Sequence, residues 1–170
     1  MPNSTTASYM NNSGSGHTLN VAGIIDGTAV DGPGLRTSIY FAGCRHHCPG
    51  CHNPSTWAFG SGTDTGIDEL LARIADNGFD VTFSGGDPMY QAENLIPLAR
   101  AVKAAGRNIW CYTGFIYEDI MDKEPYKTLL QYIDVLVDGP YMENLRDPGL
   151  PFRGSSNQRL IHLRNGIRQS

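Results

Sequence analysis

The sequence predicts an α/β fold, an incomplete (β/α) barrel with a mostly parallel sheet, and three observations predict it. Four short runs rich in β-branched and aromatic residues each end in turn residues. Apolar residues recur at helical spacing between them. The resulting order, βαβαβαβ, implies parallel strands joined by right-handed crossovers, and four such strands cannot close an eight-stranded barrel.

Residues 1–17 are rich in Ser, Asn, Thr and Gly and nearly devoid of apolar side chains, so they are expected to form a flexible arm that cannot repay the entropy of ordering. Residues 18–170 are expected to form a single domain, with no internal repeat or second boundary. The first confident strand is Thr37–Ala42. A helix follows on Ile67, Leu70, Leu71, Ile74 and Ala75, with Thr65 as its N-cap and Gly78 as its stop. Asp80–Ser84 is the second strand. The next helix runs from about Asn94 to Ala105 on Leu95, Leu98, Ala99 and Val102, with Gly106 ending it; Pro97 fits only in its first turn. Asn108–Tyr112 is the third strand, and residues 117–132 are helical in part, broken at Pro125, with Leu129, Leu130 and Ile133 facing inward. Ile133–Val137 is the fourth strand. Leu19–Ile25 and Leu160–Leu163 are possible additions to the sheet.

The chain has 170 residues, 40% of them hydrophobic. That is enough to bury about two thirds of the unfolded surface without staples. A formal charge of −4 and a pI near 5.6 argue against nucleic acid as a direct ligand. No run approaches the roughly 20 apolar residues of a membrane span. Four cysteines are too few for a disulfide framework, and no leader-like segment is read, so a reducing cytoplasm is the expected compartment.

Three of those cysteines, Cys44, Cys48 and Cys51, fall within eight residues. Thiolates at this spacing can wrap three irons of a cubane cluster from one loop and leave the fourth iron open. The competing reading is a zinc site completed by His46, His47 or His52, although structural zinc sites usually draw ligands from two separated segments. Ser84-Gly85-Gly86-Asp87-Pro88 follows the second strand, Tyr112-Thr113-Gly114 the third and Asp138-Gly139-Pro140 the fourth. In a parallel sheet these strand ends share the edge where ligands gather, and the cysteine loop shares it too.

The C-x3-C-x2-C run resembles that of the radical S-adenosylmethionine enzymes. The resemblance implies a radical SAM type of barrel, a [4Fe-4S] cluster on Cys44, Cys48 and Cys51, and S-adenosylmethionine at the open iron. It also implies that Gly85 and Gly86 contact the methionine amino group. Gly50 stands where that family often has an aromatic residue, so Gly50, Cys51 and His52 are expected to neighbour the adenine through main chain only. His46 and His47 are expected to be solvated. Cys111, the leftover thiol, is expected to be a small buried hydrophobe.

Asp31-Gly-Pro-Gly-Leu-Arg36, Cys51-His-Asn-Pro-Ser-Thr-Trp57 and Trp110-Cys-Tyr-Thr-Gly114 resemble motifs of the enzymes that activate glycyl-radical enzymes. Val135-Leu-Val-Asp-Gly139, Leu145-Arg-Asp-Pro148 and above all Phe152-Arg-Gly-Ser-Ser-Asn-Gln158 are similar to the family of anaerobic ribonucleoside-triphosphate reductase activating proteins, over about Asp31 to Arg164. That resemblance implies reductive cleavage of S-adenosylmethionine and hydrogen abstraction from a glycine of the large reductase subunit, with flavodoxin or a similar protein as reductant. It also implies a possible cofactor or cation contact at Asp138. An activase of another glycyl-radical enzyme, such as pyruvate formate-lyase, is the first alternative, and a zinc-binding interaction module the second. Arg153–Gln158 either shapes the cleft or docking surface, or only caps local backbone.

Overall fold

The computed structural model describes residues 16–170, so nearly all of the arm expected over residues 1–17 lies outside the described residues. Eight strands follow in chain order: β1 (Thr18–Thr28), β2 (Arg36–Phe41), β3 (Thr63–Gly66), β4 (Asp80–Gly85), β5 (Ile109–Tyr112), β6 (Val135–Asp138), β7 (Arg159–Arg164) and β8 (Ile167–Arg168). They join in one sheet of order β3-β1-β2-β4-β5-β6-β7-β8. Four helices, α1 (Ile67–Asn77), α2 (Ala92–Ala104), α3 (Tyr117–Ile120) and α4 (Tyr126–Leu130), connect them. None of the described helices is long and apolar enough to cross a membrane.

The four strands expected from sequence, β2, β4, β5 and β6, are parallel neighbours. The expectation of a mostly parallel sheet is corrected at both flanks. There β1 pairs antiparallel with β2 and β3, and β7 pairs antiparallel with β6 and β8. The reason is the connections: no helix separates β1 from β2 or β7 from β8, and strands joined without a crossover pair antiparallel.

Alternation along the parallel strands separates two faces. Ile39, Phe83, Cys111 and Leu136 form one rung across β2, β4, β5 and β6, each 0% exposed. They belong to the main core, where Leu70, Leu71 and Ile74 of α1 and Leu95, Leu98, Ala99 and Val102 of α2 also pack. The opposite face carries Arg36, Tyr40, Thr82, Trp110 and Tyr112. Loops rather than helices cover it. In the loop after β1 the Asp31 carboxylate accepts from the Tyr40 hydroxyl, and the Asp31 carbonyl accepts from Thr82 Oγ1 at 2.9 Å. From the loop before β7, the Phe152 carbonyl accepts from the Tyr112 hydroxyl at 2.7 Å and the Phe152 ring meets Trp110 edge-on. Arg36, 1% exposed, plugs the start of β2 by donating to Thr82 Oγ1, the Val81 carbonyl and Asn108 Oδ1.

Two helix boundaries differ from the sequence reading. Thr65 is not an N-cap: it pairs with Leu19 in the β1–β3 ladder, and Gly66 precedes α1 without a side-chain cap. Asp68 and Glu69 in the first turn still complement the helix dipole, and Gly78, at φ 69°, closes the helix by donating to the Ile74 carbonyl. α2 starts at Ala92 because the 3-10 turn Pro88–Gln91 leads directly into it, which leaves Pro97 in the helix interior. The carbonyl deprived of its N–H partner there is that of exposed Glu93, which water can reach.

Candidate functional site

The carboxyl ends of the parallel strands open into one cleft of about 420 Å³. Cys44, Cys48 and Cys51 line it from the loop after β2, Ser84–Gly86 from the end of β4, Tyr112–Gly114 from β5 and Gly139 from β6. Its remaining wall includes Asp31, His46 and His52, and on the far side Phe152, Arg153, Gly154 and Gln158. Every strand-end motif singled out in the sequence therefore faces the same space, of a size that suits a small ligand.

The cysteine loop is held at its base by backbone bonds: Gly43 N–H donates to the Thr56 carbonyl at 2.7 Å and Cys44 N–H to that of Trp57 at 3.0 Å. Cys44 is buried, while Cys48 and Cys51 are half-buried. All four cysteines are free thiols. Burial pushes the Cys44 and Cys48 thiols up from their ordinary value. Backbone N–H groups oppose it, those of His46 and His47 at Cys44 and that of Tyr141 at Cys48. The Asn53 N–H reaches Cys51 Sγ at 3.4 Å. Three soft sulfur donors on one loop, each met by N–H groups suited to a thiolate, fit an iron–sulfur cluster. Cys111 is fully buried in the main core, away from the cleft, as expected.

His46 and His47 each make a side-chain contact of their own, and His46 lines the cleft as well. His46 is not solvated: its Nε2–H donates to Asp87 Oδ2 at 2.8 Å, and its ring lies 4.7 Å from that of Phe115. The polar preference for solvent lost here to a buried carboxylate that needed a donor. His47 is exposed and stacks on Trp57 with ring centroids 4.6 Å apart. Among the described residues no group of three His, Cys, Asp or Glu side chains is gathered as for a single metal ion.

Gly85 and Gly86 line the cleft, but their lack of a side chain has a reason within the chain itself. A Cβ on Gly85 would lie 2.3 Å from the Phe41 nitrogen, and one on Gly86 would lie 2.7 Å from the Gly43 carbonyl oxygen. The Gly86 N–H is committed to the Phe41 carbonyl at 2.7 Å. What Gly86 can offer a ligand is its carbonyl. Gly50, at φ 76°, permits the turn in which Cys51 N–H donates to the Cys48 carbonyl. The space beside it is taken by the Glu143 carboxylate, and Gly50 is not part of the cleft wall. Cys51 and His52 are.

Two acidic residues differ from the sequence reading. Asp138, fully buried, faces away from the cleft: it pairs with Arg159 and accepts from the Tyr117 N–H at 2.8 Å, so the donors it needs are already present. Asp87 is more than a helix-start residue. Its Oδ1 accepts from Met89 N–H at 2.9 Å, and its Oδ2 from His46, from Thr113 Oγ1 at 2.9 Å and from Gly114 N–H at 2.9 Å. Apart from its place after two glycines, nothing local in the sequence marks it. The partners of its Oδ2 come from the loops after β2 and β5.

Side chains of the Arg153–Gln158 run fold that loop by binding backbone. Gln158 Oε1 accepts from the Gly154 and Ser155 N–H groups, and Gln158 Nε2 donates to the Gly139 carbonyl. Asn157 Nδ2 donates to the Pro140 carbonyl, and Ser155 Oγ accepts from the Met142 N–H. Arg153, Gly154 and Gln158 also form cleft wall, so the run does more than cap local backbone.

The 4Fe-4S single cluster domain family matches residues 30–161. The anaerobic ribonucleoside-triphosphate reductase-activating protein of Vibrio cholerae serotype O1 is 40% identical over 143 residues, covering 78% of this chain and 90% of the relative. That of Escherichia coli K12 is 36% identical over 145 residues, covering 79% and 93%. That of enterobacteria phage T4 is 38% identical over 146 residues, covering 81% and 90%. The crystal structure of QueE from Escherichia coli overlays with a TM-score of 0.48 at 17% identity, covering 67% of this chain and 58% of that one. With near-complete coverage of its relatives and a cysteine loop opening on the expected strand ends, the chain belongs to the anaerobic ribonucleoside-triphosphate reductase-activating protein family.

Proposed function

We propose that this chain activates an anaerobic ribonucleotide reductase, using a [4Fe-4S] cluster held by Cys44, Cys48 and Cys51 and S-adenosylmethionine bound beside it. The observation that carries the site assignment is the single cleft in which three free thiols meet the Gly85–Gly86 strand end. Held by Cys44, Cys48 and Cys51, the reduced cluster would supply the one electron that splits S-adenosylmethionine into methionine and a 5′-deoxyadenosyl radical, and that radical would take hydrogen from a glycine of the large reductase subunit.

The chain's own part is to bind, orient and enclose. Cys44, buried in the loop after β2, and the half-buried Cys48 and Cys51 would hold the cluster. The Gly86 carbonyl accepts from the methionine amino group, with Gly85 bringing the backbone close. Cys51 and His52 border the adenine through main chain. The sheet is open, since its terminal strands β3 and β8 are not neighbours, and we read it as an incomplete barrel of the radical SAM type. That leaves a side through which a partner's glycine-bearing segment reaches the cleft, past the wall built by Phe152–Gln158. Flavodoxin or a similar low-potential protein delivers the electron, and a reducing cytoplasm keeps the thiols free.

The test is anaerobic. After cluster reconstitution, dithionite and S-adenosylmethionine are added, and 5′-deoxyadenosine is quantified from the parent chain and from Cys48→Ala. Product from the parent and at least a ~100-fold loss in the variant is expected, since the ligand itself is removed. Zinc in place of iron and acid-labile sulfide, with no product, would sink the reading. Formation of a glycyl radical on the anaerobic reductase large subunit, and not on pyruvate formate-lyase, identifies the partner.

A further inference from the structure

The Cys44–Cys51 loop sends one non-cysteine side chain, that of His46, inward against the neighbouring strand ends, and the Asp87 carboxylate receives it. Asp87 is 1% exposed and takes His46 Nε2–H and Thr113 Oγ1–H on one oxygen, together with the Gly114 N–H. Asp87 N–H in turn donates to the Gly43 carbonyl at 3.0 Å, immediately before Cys44. The imidazole packs against Phe115, edge-on at 4.7 Å, and Tyr90 at 5.7 Å, a Cβ on Gly114 would fall 2.6 Å from the ring, and its remaining side, 19% exposed, faces the cleft. Three strand-end loops, those after β2, β4 and β5, therefore meet at one carboxylate.

We infer that His46 is a positioning residue: pinned to Asp87 between Cys44 and Cys48, it sets the attitude of the cysteine loop toward Gly85 and Gly86, and so the fit of a ligand bound across both. This rests on the proposed function above. The physical argument is one of stiffness. A loop attached only at its two ends can rock by more than a productive contact tolerates. A buried hydrogen bond from its middle to the segment that carries the second half of the site removes that freedom. His46 also lines the cleft, but the role inferred for it acts through Asp87, and it depends on the Nε2–H donor and not on a change of charge.

The experiment uses the full chain, reconstituted anaerobically, with His46→Leu and His46→Gln. Leu keeps the packing against Phe115 and Tyr90 and loses the donor; Gln keeps a donor at the Nε2 reach. Iron and sulfide content are measured first, then the electron paramagnetic resonance spectrum of the dithionite-reduced cluster as S-adenosylmethionine is titrated in. All three chains are expected to load iron and sulfide alike. Half-saturation of the S-adenosylmethionine-induced spectral change should rise by about tenfold or more in His46→Leu and stay within about threefold of the parent in His46→Gln. An unchanged titration in His46→Leu overturns the inference while leaving the proposed function standing. A parent spectrum that does not respond to S-adenosylmethionine fails the proposed function and the inference with it. If His46→Leu takes up no iron, His46→Asn, whose amide falls short of Asp87, replaces it, and titrations equal to those of His46→Gln overturn the inference.

Discussion

At Gly86 the chain passes so close to the end of β2 that one added methyl group has no room. Its Cβ would meet the carbonyl oxygens of Gly43 at 2.7 Å and Thr56 at 2.9 Å, both backbone and neither able to swing aside. Gly86→Ala is expected to cost about 1–3 kcal/mol in urea unfolding, as overpacking does, and to shift the cysteine loop with it. A stability equal to the parent's would show that the two loops separate more easily than their contacts suggest. At this scale the three thiols were legible because their spacing is local. The role of Asp87 was not: His46 stands 41 residues before it and Thr113 26 residues after it, and only the fold brings them together. Asp138 was misread for the same reason, since Arg159 arrives from a strand 21 residues further on.

Among the elements, α2 carries an internal proline that no cap or kink requires. Pro97→Ala restores an N–H to the Glu93 carbonyl and is expected to raise stability by about 1–2 kcal/mol, less the entropy that proline removes from the unfolded chain. A thermal midpoint that falls instead would show that the half-buried ring contributes packing worth more than the missing bond. The helices were legible from their apolar period, and the buried faces of α1 and α2 are those the period indicates. Strand direction at the flanks was not. Short apolar runs at both ends of the chain look alike whichever way they pair, and direction is settled by the course of the connection: β6 and β7 pair antiparallel across the long Gly139–Gln158 loop. Thr65 shows the same competition in miniature, a good capping residue claimed first by a ladder to Leu19.

Across the whole molecule, the sheet separates a dry face from one that holds polar groups beneath loops, and this shapes its response to alkali. Burial pushes the Tyr112 phenol, the Tyr40 phenol and the Cys111 thiol above their ordinary values, and the Asp31 hydrogen bond adds to the effect at Tyr40. Between the unfolded and folded values the native chain holds protons that the unfolded chain has lost, so the stability these three groups contribute is complete below their unfolded values and is lost as pH rises. The decline should begin near pH ~8.5 from the thiol and steepen above ~10 from the phenols. Urea midpoints measured from pH 7 to 11 should fall less steeply in Tyr112→Phe. Equal slopes would mean that the phenol ionises without opening the fold. One further consequence lies in the segment between β6 and β7. It leaves the sheet at Asp138 and returns at Arg159, residues that face each other on one rung and are joined by their own ion pair. Within that clasp its course is written by its own side chains, with Gln158 and Asn157 binding Gly139 and Pro140. The strands impose no length on it. Residues 144–149, exposed and outside the cleft wall, are the interchangeable part of the design: residues could be added, removed or exchanged there, giving the same chemistry a new surface to show a partner, while every strand stays where it is.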